Sequence, residues 1–320
     1  MANLTPPSRQ ARPIDGVLLL DKPIGITSNA AIQRAKRLFG AAKAGHVGTL
    51  DPLASGLLPV CFGEATKFSA DAFSADKSYA ADVLLGVTTT TGDTEGEVTS
   101  RKPVDVSREQ VLAVLRRFTG KLEQMPPMYS ALKHAGKPLY AYARAGQTVE
   151  RTARAITIHE IALSDIVGER LMINVTCSKG TYIRVLAEDI GQALGCGATL
   201  AGLRRTRVGA FGVQDAVGLE QLEAAPTAQR TALLLPVEAL VAGLPVIVLT
   251  ADSAARIVMG QATQTEAREL EGMVRLYDPA GRFLGLGELQ PDGRLLPKRL
   301  VAAPLAAASH RDYAQTAKIA

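Results

Sequence analysis

Along this chain the apolar positions alternate between a period near two and a period near 3.6, which predicts a protein of mixed strands and helices. Residues 16–21 form a short apolar strand that runs into a Lys22-Pro23 turn. Ser28 is placed to cap a helix with Ile32, Ala35, Leu38 and Phe39 on one face, and Gly40 is placed to stop it. A second strand is expected over 57–62 and a third over 77–87, where Tyr79, Ala81, Val83 and Leu85 share one side. Ser107 and Gln110 have the spacing of a capping box, ahead of a helix carrying Val111, Leu115 and Phe118 that Gly120 closes.

From 124 to 146 the rhythm stops. Prolines, tyrosines and basic residues mix without a clean period, and the segment reads as an inserted loop with a short helix. Alternation returns at 155–167 and 170–177 as a long hairpin, followed by a helix over 181–194. Hairpin pairs outnumber strand-helix-strand spacings, so the expected class is α+β, on a largely antiparallel mixed sheet. After a linker around 238–243 the style changes. Short strands at 246–249, 273–277 and 283–286 surround a helix at 251–259, with turns at Pro279-Ala280-Gly281 and Pro291-Asp292-Gly293, a spacing that suits a small β-barrel. The expected division is therefore 14–240, with the insertion at 124–146, then 244–303, with flexible tails at 1–13 and 304–320.

Length agrees, since 320 residues suggest about two domains. No apolar run approaches the roughly 18 residues of a membrane span, and residues 1–13 lack an apolar signal core, so the expected location is the cytoplasm. Cys61, Cys177 and Cys196 are odd in number and lack metal-ligand spacing; they read as small buried residues, with no disulfide or metal site implied. The net charge is only +5, but basic residues gather at Arg34, Lys36, Arg37 and Lys43, at Arg116, Arg117 and Lys121, at Arg151 and Arg154, at Arg204, Arg205 and Arg207, and at Lys298 and Arg299. Such clusters are expected on solvated faces, where they can meet phosphates.

One stretch departs from ordinary scaffold. Residues 45–56, GHVGTLDPLASG, place Asp51 on a turn whose glycines Gly45, Gly48 and Gly56 permit positive φ and close backbone approach, while Pro52 keeps the acid out of a helix. An Asp-Pro pair alone commonly starts a turn. A P-loop is the weakest alternative, because the GK[ST] ending is absent.

Five segments in order resemble the TruB-type pseudouridine synthases, which act on uridine 55 in the T loop of tRNA: LDKPIGITS at 20–28, GHVGTLDPLASG at 45–56, Lys77 to Tyr79, SKGTYIR at 178–184 and LRRTRVGAF at 203–211. The tail resembles a PUA domain, an RNA-binding barrel, through Gly260-Gln261, LGLGEL at 284–289 and PKRLV at 297–301. The resemblance implies a cofactor-independent isomerase in which Asp51 is the nucleophile, attacking either the uracil ring or the ribose C1′. It sets Arg184 beside that acid, as the cation that keeps it ionised in a site that excludes water. Tyr79 would stack on the target base and remove the C5 proton, Tyr182 would wall the uracil, and Leu203 would close the pocket. His46 would support the flipped-out nucleotide, as a neutral ring rather than an acid, base or metal ligand. Lys22 and Pro23 would brace the Asp51 loop, and Asp93 reads as a turn residue, the alternative being a hydrogen bonder behind the site.

The insertion at 124–146 resembles the family's thumb, with Lys133 and Lys137 on phosphates and Tyr129 packing the hinge. Lys298 and Arg299 are candidates for the acceptor end of tRNA, although the barrel could instead only stabilise the first domain. The implied partner is tRNA and the implied state a monomer. Two other readings share these residues: a tRNA-folding chaperone with catalysis secondary, and a guide-RNA-dependent pseudouridine synthase, against which the thumb-like insertion argues.

Overall fold

The computed structural model describes residues 14–70, 74–266 and 270–305. The expected tails at 1–13 and 306–320 lie outside the described residues; 304 and 305, placed in a tail by the sequence, continue the last strand.

A ten-stranded mixed sheet carries the first part of the chain. Its order is Val217–Gly218, Gly16–Lys22, Ala54–Phe62, Ala198–Val208, Lys77–Leu85, Arg170–Cys177, Arg154–Val167 and Gly120–Gln124, with Ala44–His46 added to Ala54–Phe62 and Phe211–Gly212 to Ala198–Val208. Only two of these pairings are parallel, that of Gly16–Lys22 with Val217–Gly218 and that of Ala54–Phe62 with Ala198–Val208. The largely antiparallel expectation therefore holds. The central strand, Ala198–Val208, was not anticipated as one: register shifts between Leu200 and Gly202 and between Arg205 and Arg207 break its alternation.

Local chemistry accounts for the remaining boundaries. The helix Ser28–Phe39 is capped by Thr27, not Ser28; the Thr27 hydroxyl accepts from Ala30 N at 3.1 Å. Ser28, one residue inside the helix, instead turns its Oγ to residue 50, accepting from Leu50 N at 2.8 Å and donating to Leu50 O at 2.9 Å. Gly40 closes the helix in the left-handed region, as its position suggests. The Ser107 and Gln110 capping box forms, but that helix ends at Arg117, and Gly120 begins the next strand. Lys77–Leu85 stops short of 87 because Gly86, at φ +76°, turns the chain into a separate hairpin of Val87–Thr89 with Val98–Arg101. The helix expected over 181–194 runs from Ile183 to Ala193. Within 124–146 the chain makes a small hairpin, Lys133–His134 with Lys137–Pro138, and the helix Leu139–Arg144.

The C-terminal part is a curled five-stranded sheet in the order Val246–Val248, Gly272–Tyr277, Phe283–Leu289, Arg294–Leu305, Thr263–Gln264, with the helix Ala251–Val258. The last strand, Arg294–Leu305, was not expected as a strand, and Thr263–Gln264 pairs with its start. Nor is 238–243 a simple linker: Val237–Val241 is a 3-10 turn that buries Val237, Glu238, Leu240 and Val241. The C-terminal sheet shares one apolar cluster with the first domain, where the Phe68 and Phe283 rings meet at 5.6 Å, tilted by 56°, and are both fully buried. Burying side chains of this size contributes about 1.5–3 kcal/mol each. Two polar contacts reinforce the seam, from Lys67 Nζ to Leu300 O at 3.1 Å and from Ala302 N to Glu64 Oε2 at 2.6 Å.

Gly56 is the tightest point behind the Asp51 turn. Its φ is +98°, and a Cβ there would lie 2.3 Å from the carbonyl oxygen of Arg205 on the adjoining strand. Both the backbone conformation and the contact exclude a side chain. Gly56→Ala is therefore expected to destabilise the protein by about 1–3 kcal/mol or more, read as a lower midpoint in urea; an unchanged midpoint contradicts the packing described.

Candidate active site

Residues 44–56 form a loop that leaves the sheet and returns to it. Ala44–His46 pairs antiparallel with Val60–Phe62, and Val47 N donates to Pro59 O at 3.0 Å. Gly48 then turns the chain at φ +78° and Gly56 readmits it to the sheet. Gly45 does not share this role; it sits within the strand Ala44–His46 without positive φ, and a Cβ there would meet only Thr66 at 3.8 Å. The turn is pinned from outside by Ser28 on both polar atoms of Leu50 and by Gly25 N, which donates to Pro52 O at 2.8 Å. Between these anchors the Asp51 side chain stays 45% exposed.

Arg184 meets that acid. Its Nε lies 3.0 Å from Asp51 Oδ2 and 3.5 Å from Asp93 Oδ2, its Nη1 donates to Thr91 O at 2.7 Å, and its Nη2 donates to Tyr129 O at 2.7 Å. All three guanidinium nitrogens are used, and the side chain is 6% exposed. Arg184 stands in the first turn of the helix Ile183–Ala193, where the helix dipole disfavours a cation by about 0.3–1 kcal/mol. A residue set against the local preference points to demands from the site.

Asp93 is more than the turn residue expected. It is buried, accepts from Thr91 Oγ1 at 2.6 Å and from Glu95 N at 3.2 Å through Oδ1, and turns Oδ2 to Arg184. It thus supplies a second carboxylate to the same guanidinium. Glu95, three positions from Gly92 on the same turn, feels the negative charge; burial, Asp93 and Asp51 together hold its carboxyl above the ordinary value.

Tyr79 and Tyr182 flank the acid. Tyr79, on Lys77–Leu85, is half-buried, and burial pushes its phenol up, opposed by Arg205. Tyr182 caps the Arg184 helix, held by a reciprocal pair in which its N–H donates to Gln124 Oε1 at 2.7 Å and its carbonyl accepts from Gln124 Nε2 at 3.1 Å. Burial raises its phenol also, and the negative charge of Asp51 adds to the rise at both rings. Leu203 pairs with Ala54 and Ala81 and lines an open cleft of about 770 Å³ with Leu53, Glu95, Asp82 and Asn174. His46 is half-buried; burial lowers its pKa, so the ring is neutral at pH 7, and its Nδ1 is a buried polar atom without a partner.

Lys133 stands apart. It is exposed on the small hairpin, and no contact joins it to Asp51; the insertion reaches the centre through the Tyr129 carbonyl on Arg184 and through Gln124 on the Tyr182 backbone. Lys137 lies over the Tyr142 ring at 4.7 Å, and Lys298 pairs with Glu288 at 2.5 Å. The described residues contain no cluster of three or more His, Cys, Asp or Glu side chains fit to hold a metal, and no helix long and apolar enough to cross a membrane. Cys61, Cys177 and Cys196 are free and buried.

The residue least visible in the sequence is Arg205. Expected on a basic, solvated face, it is 1% exposed and donates Nε to Leu57 O at 2.7 Å, Nη2 to Gly48 O at 3.0 Å and Nη1 to Thr49 O at 3.4 Å. Its neighbours in the triplet behave as the composition suggests: Arg204 and Arg207 are exposed, and Arg204 pairs with Asp21 at 2.7 Å. Lys22 is buried as well, with Nζ donating to Pro23 O at 2.8 Å and Ile26 O at 2.7 Å, so it braces its own turn, from which Gly25 N reaches Pro52 O.

Known proteins match this chain along most of its length. The family models described as TruB family pseudouridylate synthase (N terminal domain), tRNA pseudouridylate synthase B C-terminal domain, and Pseudouridine synthase II TruB, C-terminal, match residues 36–183, 184–242 and 245–301. Curated relatives named tRNA pseudouridine synthase B include one from Methylobacillus flagellatus, 54% identical over 92% of this chain and 97% of the relative, and one from Azoarcus sp., 57% identical over 91% and 96%. Among solved structures, a Cbf5-Nop10-Gar1 complex matches at 27% identity and a TM-score of 0.67, over 89% of this chain and 80% of that one. An H/ACA RNP bound to a substrate RNA containing 2′-deoxyuridine matches at 25% and 0.68, over 93% and 86%.

Burial holds both Lys22 and Lys77 down to about 8 from an ordinary 10.5. A base whose folded value is lowered binds fewer protons folded than unfolded, so stability rises with pH between about 8 and 10.5. Urea unfolding across that window is expected to show the rise, and Lys22→Met to reduce it, leaving the part due to Lys77; an identical slope in the variant contradicts the burial of a charged Lys22.

Proposed function

This chain belongs to the TruB family of pseudouridylate synthases, and we propose that it is a stand-alone tRNA pseudouridine synthase that isomerises uridine 55 in the T loop with Asp51 as its nucleophile. The observation that carries the reading is the placement of a half-exposed carboxylate at 3.0 Å from a buried guanidinium, with two tyrosines within reach of its charge. Breaking the N1 glycosidic bond and rejoining through C5 requires a group that can hold a fragment without hydrolysing it, and a carboxylate serves. Arg184 supplies the counter-charge at 3.0 Å from the acid, and Asp93, Thr91 O and Tyr129 O fix the direction of that guanidinium.

In this reading Tyr79 stacks on the flipped uracil and takes the C5 proton once the new bond has formed, while N1 gains a proton and the pyrimidine regains its aromatic character. Tyr182 forms the second wall and Leu203 closes the cleft. His46, neutral and with a free ring nitrogen, supports the nucleotide flipped out of the T loop. Lys133 and Lys137 on the exposed hairpin meet phosphates of the T arm, and the PUA-like sheet touches the acceptor end. The protein works as a cytoplasmic monomer and uses no cofactor.

The guide-dependent reading draws on the likeness to Cbf5 complexes at 25–27% identity, against 54–57% to the tRNA enzymes over nearly their whole length. The stand-alone reading is the better supported. With purified protein and an unmodified T-arm stem-loop as the only components, isomerisation is expected to proceed. Asp51→Asn is expected to lower its rate by at least about a thousandfold while RNA binding persists. Turnover by the variant at the wild-type rate, or no activity of the wild type until a guide RNA is added, overturns the proposal. Rescue of misfolded tRNA by the variant would instead identify a chaperone activity independent of the acid.

A further inference from the structure

Arg205 is a buried cation that none of the roles above uses. No carboxylate of the described residues lies within ion-pair distance of it, and three of its contacts are backbone carbonyls. Leaving a guanidinium in the interior without an opposite charge is strongly unfavourable, so the position calls for a partner that offsets part of that cost. One ionisable group stands directly against it. Arg205 and Tyr79 are register partners on the adjacent antiparallel strands Ala198–Val208 and Lys77–Leu85, which sets both side chains on one face of the sheet, and the Arg205 charge favours the ionised Tyr79 phenol. On its other side the Arg205 backbone crosses Gly56, whose missing side chain allows the approach, and its guanidinium reaches under the Asp51 loop to Gly48 O and Thr49 O.

We propose that Arg205 is a positioning residue for the isomerisation, holding the Tyr79 oxygen in place against the Asp51 loop and stabilising that oxygen as an anion. The inference rests on the reading of Tyr79 as the acceptor of the C5 proton. In that step the C5–H bond breaks, its electron pair returns to the ring, and the proton passes to the Tyr79 oxygen. Arg205 never touches the substrate. It supplies a charge that favours the phenolate beside the base, against the burial that on balance holds the phenol above its ordinary value.

The other groups near Tyr79 work against this or lie further off. Asp51 and Cys177 both favour the neutral phenol, and burial does so most strongly. Lys77, Lys22 and His46 feel the Arg205 charge, each being held down in part by it. Arg205 is therefore the cation that opposes these influences at the phenol itself. It does so from a site where water cannot compete, because the strands on both sides are closed over it.

The test is a double-mutant cycle read by single-turnover isomerisation of a saturating T-arm stem-loop across pH 6–9.5. Arg205→Met keeps the apolar stem and removes the charge; Arg205→Lys keeps a charge but cannot reach both the loop carbonyls and the phenol. In the wild-type background Arg205→Met is expected to slow the step by about tenfold to a thousandfold, a fraction of what a positioned base supplies, and to move the rising limb of the pH profile upward by about one unit or more. In the Tyr79→Phe background the same change is expected to cost little further, because Arg205 acts through the phenol. An equal loss in both backgrounds, with no movement of the pH profile, overturns the proposal and leaves Arg205 a brace of the loop. Should Arg205→Met not fold, Arg205→Lys serves in the same cycle with the same two outcomes. A Tyr79→Phe enzyme that keeps the wild-type rate would count instead against Tyr79 as the base, a result distinguishable from either.

Discussion

The Arg184 guanidinium is the contact on which the arrangement of the site depends. It joins four pieces of chain that are far apart in sequence: the acid of the glycine-bounded loop, the turn at Thr91 and Asp93, the start of the insertion at Tyr129, and the helix that carries Arg184 itself. Because each nitrogen has a fixed partner, displacing any one piece leaves a buried donor or a buried charge unpaired, which costs more than the contact contributes when made. Asp51 is thereby aimed from behind, while its side chain stays 45% exposed. The insertion begins at a carbonyl that reports on the same guanidinium, so a segment suited to gripping RNA is tied to the group that orients the acid.

A second constraint lies one layer deeper. Lys22, Lys77 and Arg205 are all buried behind the nucleophile loop; Arg205 bonds the loop's own carbonyls at Gly48 and Thr49, while Lys22 donates to Pro23 O and Ile26 O and Lys77 to Ala75 O. Such a cluster is costly to fold around, as the lowered values of both lysines show. Its effect is to set positive charge beneath a loop that must hold an acid and receive a polyanion. Stability is given up for the electrostatics of the site, a trade common at functional centres.

Much of this could be read from the sequence. The helix Ser28–Phe39, the hairpin from Arg154 to Cys177 and the strand bearing Tyr79 follow from period and capping alone, and the glycine turn around Asp51 is plain from its composition. The family resemblance brought Arg184 to the acid. What stayed hidden has physical reasons. Ala198–Val208 carries two bulges, so its buried and exposed residues fall out of phase and it does not look like a strand; for the same reason Arg205 could not be told from Arg204 and Arg207. Ser28 has the right chemistry for a cap and uses it on Leu50 instead, a choice only the tertiary fold decides. Asp93 looked like a turn residue because it is one, and its second oxygen found Arg184 only once two distant loops met.

The claim that Arg184 makes Asp51 competent is tested most directly by replacing it with methionine and with lysine, and measuring single-turnover isomerisation of a T-arm stem-loop beside RNA affinity. The account predicts that Arg184→Met loses at least about a hundredfold in rate while still binding RNA, and that Arg184→Lys recovers only part of the loss, since one ammonium cannot hold the acid, the Thr91 carbonyl and the Tyr129 carbonyl together. A methionine variant that isomerises uridine at the wild-type rate would contradict it.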